Sequence, residues 1–467
     1  MRIVAFFAAF SAATLPAWFP DPALSGEPID IGSRREPFVD SLLISERTGA
    51  ATQTVVQPEP REVVFVTDAP WEGNTSAYYT IIQDGDLLRM YYRGSHYDTE
   101  TKQATHPEVT CYAESRDGIH WTKPNLGLVE FEGSTANNII WDGVGTHCFT
   151  PFLDTHPDCP PESRYKALSR GRPQAAKGLY AFRSPDGIHW EMIREEAVIV
   201  DGAFDSQNLA FYDPTIGKYR AYHRDFRPVD GVRVRDIKWQ VSDDFLNWTA
   251  AEYIEYGDGP YEQLYTNAIR PEPLAPHLLI GFPTRYLPQE NSRVEPTFMA
   301  SRDGKTFRRW LDPVIPESAP LDRSGNRSNY MANGLVALPQ FPGEYSVYAS
   351  EAYYTGPDSR LRRFAYRTDG YVAIRASGEG TLVTKPILFD GDRLTVNVDA
   401  GKEGSVVVEL LGPDGVTLRS EPITGDHIDA GVEWVGSQAS LAELAGKPVT
   451  LRFHLRDASL YALQFHR

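Results

Sequence analysis

Hydrophobic residues along this chain come in short runs of alternating apolar and polar positions, and most runs end at a glycine, proline or aspartate. That is the pattern of strands with one buried face, and no long stretch carries the 3.6-residue period of an amphipathic helix. Between residues 71 and 371 the runs fall into five groups. The first holds strands at 78–82, 87–92 and 109–113, with a hairpin turn at Asp84-Gly85-Asp86. The second holds 149–152, 165–168 and 178–182, and the third 208–212, 219–222 and 237–241. The fourth holds 264–265, 268–269, 278–282 and 297–300, and the fifth 334–338, 345–348 and 361–365.

One phrase punctuates these groups. It reads Ser115-Arg116-Asp117-Gly118-Ile119-His120-Trp121, then Ser184-Pro185-Asp186-Gly187-Ile188-His189-Trp190. Looser copies are Ser242-Asp243-Asp244-Phe245-Leu246-Asn247-Trp248 and Ser301-Arg302-Asp303-Gly304-Lys305-Thr306-Phe307, and a worn fifth is Arg367-Thr368-Asp369-Gly370-Tyr371. Asp-Gly supplies a tight turn with positive φ at glycine, so each copy joins two antiparallel strands. The aromatic that follows returns to a core. Copies roughly 60–70 residues apart, each after a strand, predict radial repetition of small sheets that cover one another's faces. After about residue 380 the pattern changes to alternating runs at 394–398, 405–411, 449–455 and 460–465, punctuated by Gly401, Gly404, Gly412, Gly415 and Gly431. The expected fold is all-β, with a five-bladed β-propeller over residues 26–378 and a β-sandwich over 379–467. Apolar runs within 34–66 are expected to close the ring or lie across it.

Composition agrees with strands. The 467 residues include 24 Tyr, 22 Phe, 9 Trp, 37 Gly and 35 Pro. A net charge of −17 argues against nucleic acid as a partner. Cys111, Cys148 and Cys159 make no disulfide framework, although Cys148 and Cys159 could close a small loop as readily as remain free. No Cys/His spacing resembles a zinc site, and no cofactor is indicated. Arg2, an apolar run over 3–19 and Ala23-Leu24-Ser25 read as a signal peptide over 1–25. The expected protein is secreted or periplasmic, with no membrane span.

In a propeller the first strand of every blade lines the axis, so residues just before those strands converge on one funnel. Those positions offer Trp71-Glu72, His147, Asp205, Glu262 and, in the fifth group, Asn329 and Asn333. Three carboxylates among them suit glycosidic cleavage, which needs an acid, a base or nucleophile, and a tuning group. Glu262 is expected as proton donor, Asp205 as base or tuner and Glu72 as the third carboxylate. Second strands end at the same rim, with Arg93, Arg170, Arg224 and Arg285 in four groups and Glu351 in the fifth. Such guanidinium groups clamp anions or hold the carboxylates. Trp71 is a candidate stacking platform for a sugar, and Asp40 and Asp154 are weaker candidates.

An exported chain of about five Ser-x-Asp-Gly-x-x-Trp blades followed by a sandwich resembles the five-bladed glycoside hydrolases of families 32 and 43. Family 43 places Asp, Asp and Glu in its first three blades, where this chain has Glu72, His147 and Asp205, with Glu262 one blade later. The Trp-Met-Asn-Asp-Pro-Asn-Gly-like phrase of family 32 is absent. The resemblance implies a glycosidase acting on an oligo- or polysaccharide, neutral or anionic, in the axial funnel. The alternative is a propeller that binds carbohydrate without cleaving it.

Overall fold

The computed structural model describes residues 27–290, 292–315, 329–436 and 440–467, so the expected signal peptide lies outside the described residues. The chain is nearly all β. Four-stranded antiparallel sheets follow one another along it. The first is Ala77–Asp84, Leu87–Gly94, Val109–Ser115 and Ile139–Trp141. The second is Thr150–Leu153, Tyr165–Arg170, Leu179–Ser184 and Glu191–Met192. The third is Leu209–Asp213, Lys218–Val229, Val232–Ser242 and Glu252–Tyr253. The fourth is Arg270–Pro271, Leu279–Gly281, Phe298–Ser301 and Arg308–Trp310, with a side hairpin of Thr284–Leu287 and Arg293–Pro296. The fifth is Met331–Val336, Glu344–Glu351 and Arg360–Arg367, and its outer strand is Glu59–Val66 from the N-terminal side.

The repeated phrase is a turn built from its own side chains. In the first copy Ser115 Oγ accepts from the Gly118 N–H at 2.9 Å, and Asp117 Oδ1 accepts from the N–H groups of Ile119 and His120 at 2.9 and 2.8 Å. The copies at 184–189 and 301–306 repeat these bonds. Each turn also docks on the sheet before it. Tyr91 of sheet one donates to the Gly187 carbonyl of sheet two at 2.9 Å, and Tyr222 of sheet three donates to Gly304 of sheet four at 2.8 Å. Tyr348 of sheet five donates to Gly118 of sheet one at 2.9 Å, which closes the circle. On the inside, Asn333 of sheet five pairs in parallel with Thr80 of sheet one. A cavity of about 480 Å³ is lined by the first strands of all five sheets, among them Thr80–Gln83, Pro151–Leu153, Leu209–Tyr212, Ile269–Pro271 and Asn333–Leu335. The arrangement is propeller-like.

Glycine is needed in these turns for two reasons. Gly187 has φ +76°, and a Cβ there would stand 2.5 Å from Tyr91 Oη. Gly85, with φ +61°, would meet nothing within 4 Å. Gly187→Ala is therefore expected to destabilise by about 2–4 kcal/mol, the left-handed backbone plus the clash, and Gly85→Ala by only about 1 kcal/mol. Chemical denaturation midpoints of the two variants check this; equal shifts would remove the docking role of the tyrosine.

The worn fifth copy has a different job. Its positive φ falls on Asp369 (58°) rather than on Gly370. The buried Asp369 carboxylate receives Arg35 Nη2 at 2.6 Å, and Arg35 Nη1 reaches Asp429 at 2.6 Å. Arg35 belongs to the N-terminal segment, which divides in two. Arg35–Pro37, Ile44–Gly49 and Thr52–Val55 pair with the long C-terminal strands Thr450–His466 and Val372–Thr384, while only Glu59–Val66 joins the ring. The expected boundary at 378/379 falls inside Val372–Thr384. The C-terminal strands, with Arg393–Asp399 and Ser405–Leu411, form a branched ten-stranded sheet around a core that includes Phe38, Leu382, Val408, Phe453 and Phe465. All three cysteines are free.

Candidate functional site

Strained backbone marks one rim of the ring. Tyr78 (φ 59°) is the second residue of the first strand of sheet one, Phe204 (61°) and Ala268 (44°) precede the first strands of sheets three and four, and Ala352 (65°) follows the second strand of sheet five. Non-glycine residues with positive φ persist where the surroundings over-determine them, often beside functional groups. Below the rim Gln207 Nε2 donates to the Tyr79 carbonyl at 3.1 Å and to Thr80 Oγ1 at 2.9 Å, so sheet three bonds directly to sheet one. The 480 Å³ cavity begins at Thr80, beyond this contact, and no residue of the polar cluster described next lines it.

At the centre of the cluster is His147. Its Nε2 lies 3.1 Å from Asp205 Oδ1, and its Nδ1 lies 2.9 Å from Glu108 Oε2. Arg93 Nη1 also lies 3.3 Å from Nδ1, but a carboxylate on each ring nitrogen favours the doubly protonated form. Burial acts to lower the pKa of His147, but the field of Cys148 and the hydrogen bonds to Asp205 and Glu108 outweigh it and hold the pKa well above the ordinary range. Asp205 also receives Arg170 Nη1 at 2.7 Å and faces Arg224 Nη2 at 3.6 Å. The His147 hydrogen bond is the largest of the influences that hold Asp205 far below the usual carboxylate range, against its desolvation. Its side chain remains 45% exposed, so an ionised oxygen stays open to the mouth. Desolvation raises the Glu108 pKa, but His147 and Arg93 together bring it below its ordinary value.

Arg93 is buried and shared. Its Nη2 donates to the Thr75 carbonyl at 2.7 Å and to Tyr353 Oη at 2.9 Å, and its Nη1 faces Glu108 at 3.3 Å. Its guanidinium lies 4.9 Å from the centre of the Tyr78 ring. Tyr330 meets Tyr78, Tyr265 and Tyr353 edge-to-face, with ring centres 6.5, 5.9 and 5.5 Å apart.

Glu262 lies in a second group. Arg285 Nη1 donates to its Oε1 at 3.0 Å, and Arg309 Nη1 stands 3.3 Å from Oε2 without hydrogen-bond alignment. Arg285 is shared with the buried Glu295. Asp205 and Glu262 have no common partner among the described residues. Arg224 stands over Tyr265 at 5.1 Å, and Tyr265 meets Tyr286 at 6.4 Å.

Three expected site residues are not in either group, and each has a physical reason. Glu72 is buried, accepting from Tyr92 Oη at 2.5 Å and from Lys123 Nζ at 2.6 Å. It precedes Ala77 by five residues, and the intervening loop turns it away from the mouth. Trp71 donates Nε1 to Asn138 Oδ1 at 2.7 Å and packs, half-buried, against the core of sheet one. Glu351 is 2% exposed and holds Arg360 and Arg362 of the adjacent strand, both at 2.7 Å. The weaker candidates also have structural partners: Asp40 pairs with Arg302, and Asp154 with Lys166 and Tyr219.

Glu108 escaped the sequence reading although a signal existed. It immediately precedes Val109, the start of a third strand, and third strands leave from the same rim where second strands arrive. Applying the positional rule to third strands would have found Glu108.

No protein-family model and no curated protein matches this chain. Among solved structures it is similar to a family 43 arabinoxylan arabinofuranohydrolase from Bacillus subtilis, at 12% identity over 86% of this chain and 98% of that one, with a TM-score of 0.43. It is similar to the family 32 β-fructofuranosidase of Bombyx mori at 9% identity, covering 87% and 94%, with a TM-score of 0.42. A third is the catalytic domain of a family 62 α-L-arabinofuranosidase from Coprinopsis cinerea, at 10% identity, 67% and 97% coverage and a TM-score of 0.44.

Proposed function

We propose that this chain is an exported glycoside hydrolase, built as a five-bladed β-propeller with a C-terminal β-sandwich to which the N-terminal strands of residues 35–55 also belong. The glycosidic bond of an oligo- or polysaccharide lies in the mouth lined by His147, Asp205, Arg93, Arg170 and Arg224. The observation that carries this reading is Asp205, an ionised and half-open carboxylate held at one rim by side chains from two neighbouring sheets. A carboxylate so held suits a base or a stabiliser of positive charge at a sugar carbon. Proton delivery is assigned to His147, the group in the mouth that holds a proton between two carboxylates. Glu262, clasped by Arg285, is then a substrate-facing carboxylate and the competing donor.

A panel of plant and algal oligosaccharides, assayed for reducing ends with wild type, His147→Gln and Glu262→Gln, tests this. Product release by wild type with a loss of about a hundredfold or more in His147→Gln is the expected result. A comparable loss confined to Glu262→Gln would move the donor to that residue. Glycan binding without product release from any member would replace the hydrolase with a binding propeller.

A further inference from the structure

The mouth is cationic inside an acidic chain. The net charge is −17, yet among the described residues the carboxylates facing Arg93, Arg170, Arg224 and the protonated His147 are Asp205 and Glu108. Arg224 is the least satisfied of them. It is 3% exposed, its Nε has no hydrogen-bond partner among the described residues, and its carboxylate neighbour is 3.6 Å away. The faces of Phe226 and Tyr265, at 4.8 and 5.1 Å, flank the guanidinium. Its backbone N–H donates to Asn208 Oδ1, so the residue is tied to the first strand's leading end. A guanidinium taken this far out of water needs a close anion to offset its desolvation. Asp205 supplies only part of that, because its Oδ1 is already shared by His147 and Arg170. A sugar hydroxyl would leave the excess charge unmatched, whereas an oxyanion would match it with charge-assisted bonds.

Resting on the reading of this mouth as a carbohydrate site, we infer that it recognises an acidic sugar, one bearing a carboxylate or an ester sulfate, whose oxyanion seats on Arg224 beside Arg170. Arg224 is the specificity-determining residue, and Tyr265 is the ring surface next to the bound charge.

Titration calorimetry on the full chain tests this with four probes: digalacturonate, its dimethyl ester, a 4-sulfated galactose disaccharide and neutral galactobiose. One or both acidic probes are expected to bind about ten- to a hundredfold more tightly than the ester and the neutral sugar. The difference should shrink between 50 and 300 mM salt and collapse in Arg224→Met. Arg170→Met, at a more open position, should reduce it as well, which keeps the test decisive if Arg224→Met does not fold. The better acidic probe tells carboxylate from sulfate. Equal binding of charged and neutral probes, or an undiminished preference in both variants, would overturn the inference. Cleavage of neutral glycans without acidic preference would sink it and leave the hydrolase standing. Acidic preference without cleavage of any glycan would do the reverse.

Discussion

Asp205→Asn is expected to lower kcat/KM by about a hundred- to ten-thousandfold while leaving the melting temperature within a few degrees of wild type. The amide oxygen can still accept from His147 Nε2 and Arg170, so the side chains around it stay in place, and only the negative charge is lost. A base or charge stabiliser cannot work without that charge. A carboxylate that served merely as counter-ion to Arg170 and Arg224 would behave differently: its loss would lower stability and spare turnover. Because the His147 hydrogen bond, the largest influence, holds Asp205 far below the ordinary carboxylate range, its titration is expected below that range. An acid limb near pH 4 in the wild-type rate profile therefore belongs to another group. Turnover of Asp205→Asn within fivefold of wild type would end the assignment.

Glu272→Gln is expected to make the protein more stable above neutral pH and to flatten its stability profile. Glu272 is fully buried beside the axial cavity. Burial, then the charge of Asp369, pushes its pKa up to about 7 from 4.5, although the N–H groups of Ala275 and Leu274 at 2.6 and 2.7 Å and the Tyr371 hydroxyl at 3.3 Å act the other way. Arg270 also lines the cavity. In the folded chain the carboxyl keeps its proton up to about pH 7, whereas in the unfolded chain it loses it near 4.5. The folded state thus binds more protons across that window, and stability falls as pH rises through it. The contribution is fully present below 4.5 and is lost above 7, a swing of about 3 kcal/mol. Glutamine cannot ionise, so Glu272→Gln should match wild type near pH 4.5 and exceed it by up to that amount at pH 8. Denaturant midpoints at the two pH values decide it; parallel profiles would show that Glu272 is ionised in the fold.

How much of this was legible beforehand depended on the range of the interactions. The turn phrase holds itself together by bonds to Ser115 and Asp117 from N–H groups two and three residues on, so the six residues from Ser115 to His120 suffice to specify it. The even spacing of such turns, and the alternation of apolar residues between them, determined a ring of small antiparallel sheets with Asp205 and His147 at one rim. What no local pattern contained was the parity and path of the connecting loops. Glu72 and Asp205 both precede a first strand, yet one turns into the core toward Lys123 and the other into the mouth. Arg35 and Asp369 meet across 334 residues, which drew the N-terminal strands onto the C-terminal sheet rather than across the ring. Short-range hydrogen bonds and side-chain period are written in the sequence itself. The pairing of distant charges is decided by closure of the chain, because burial in the finished fold selects which oppositely charged groups remain within reach of one another.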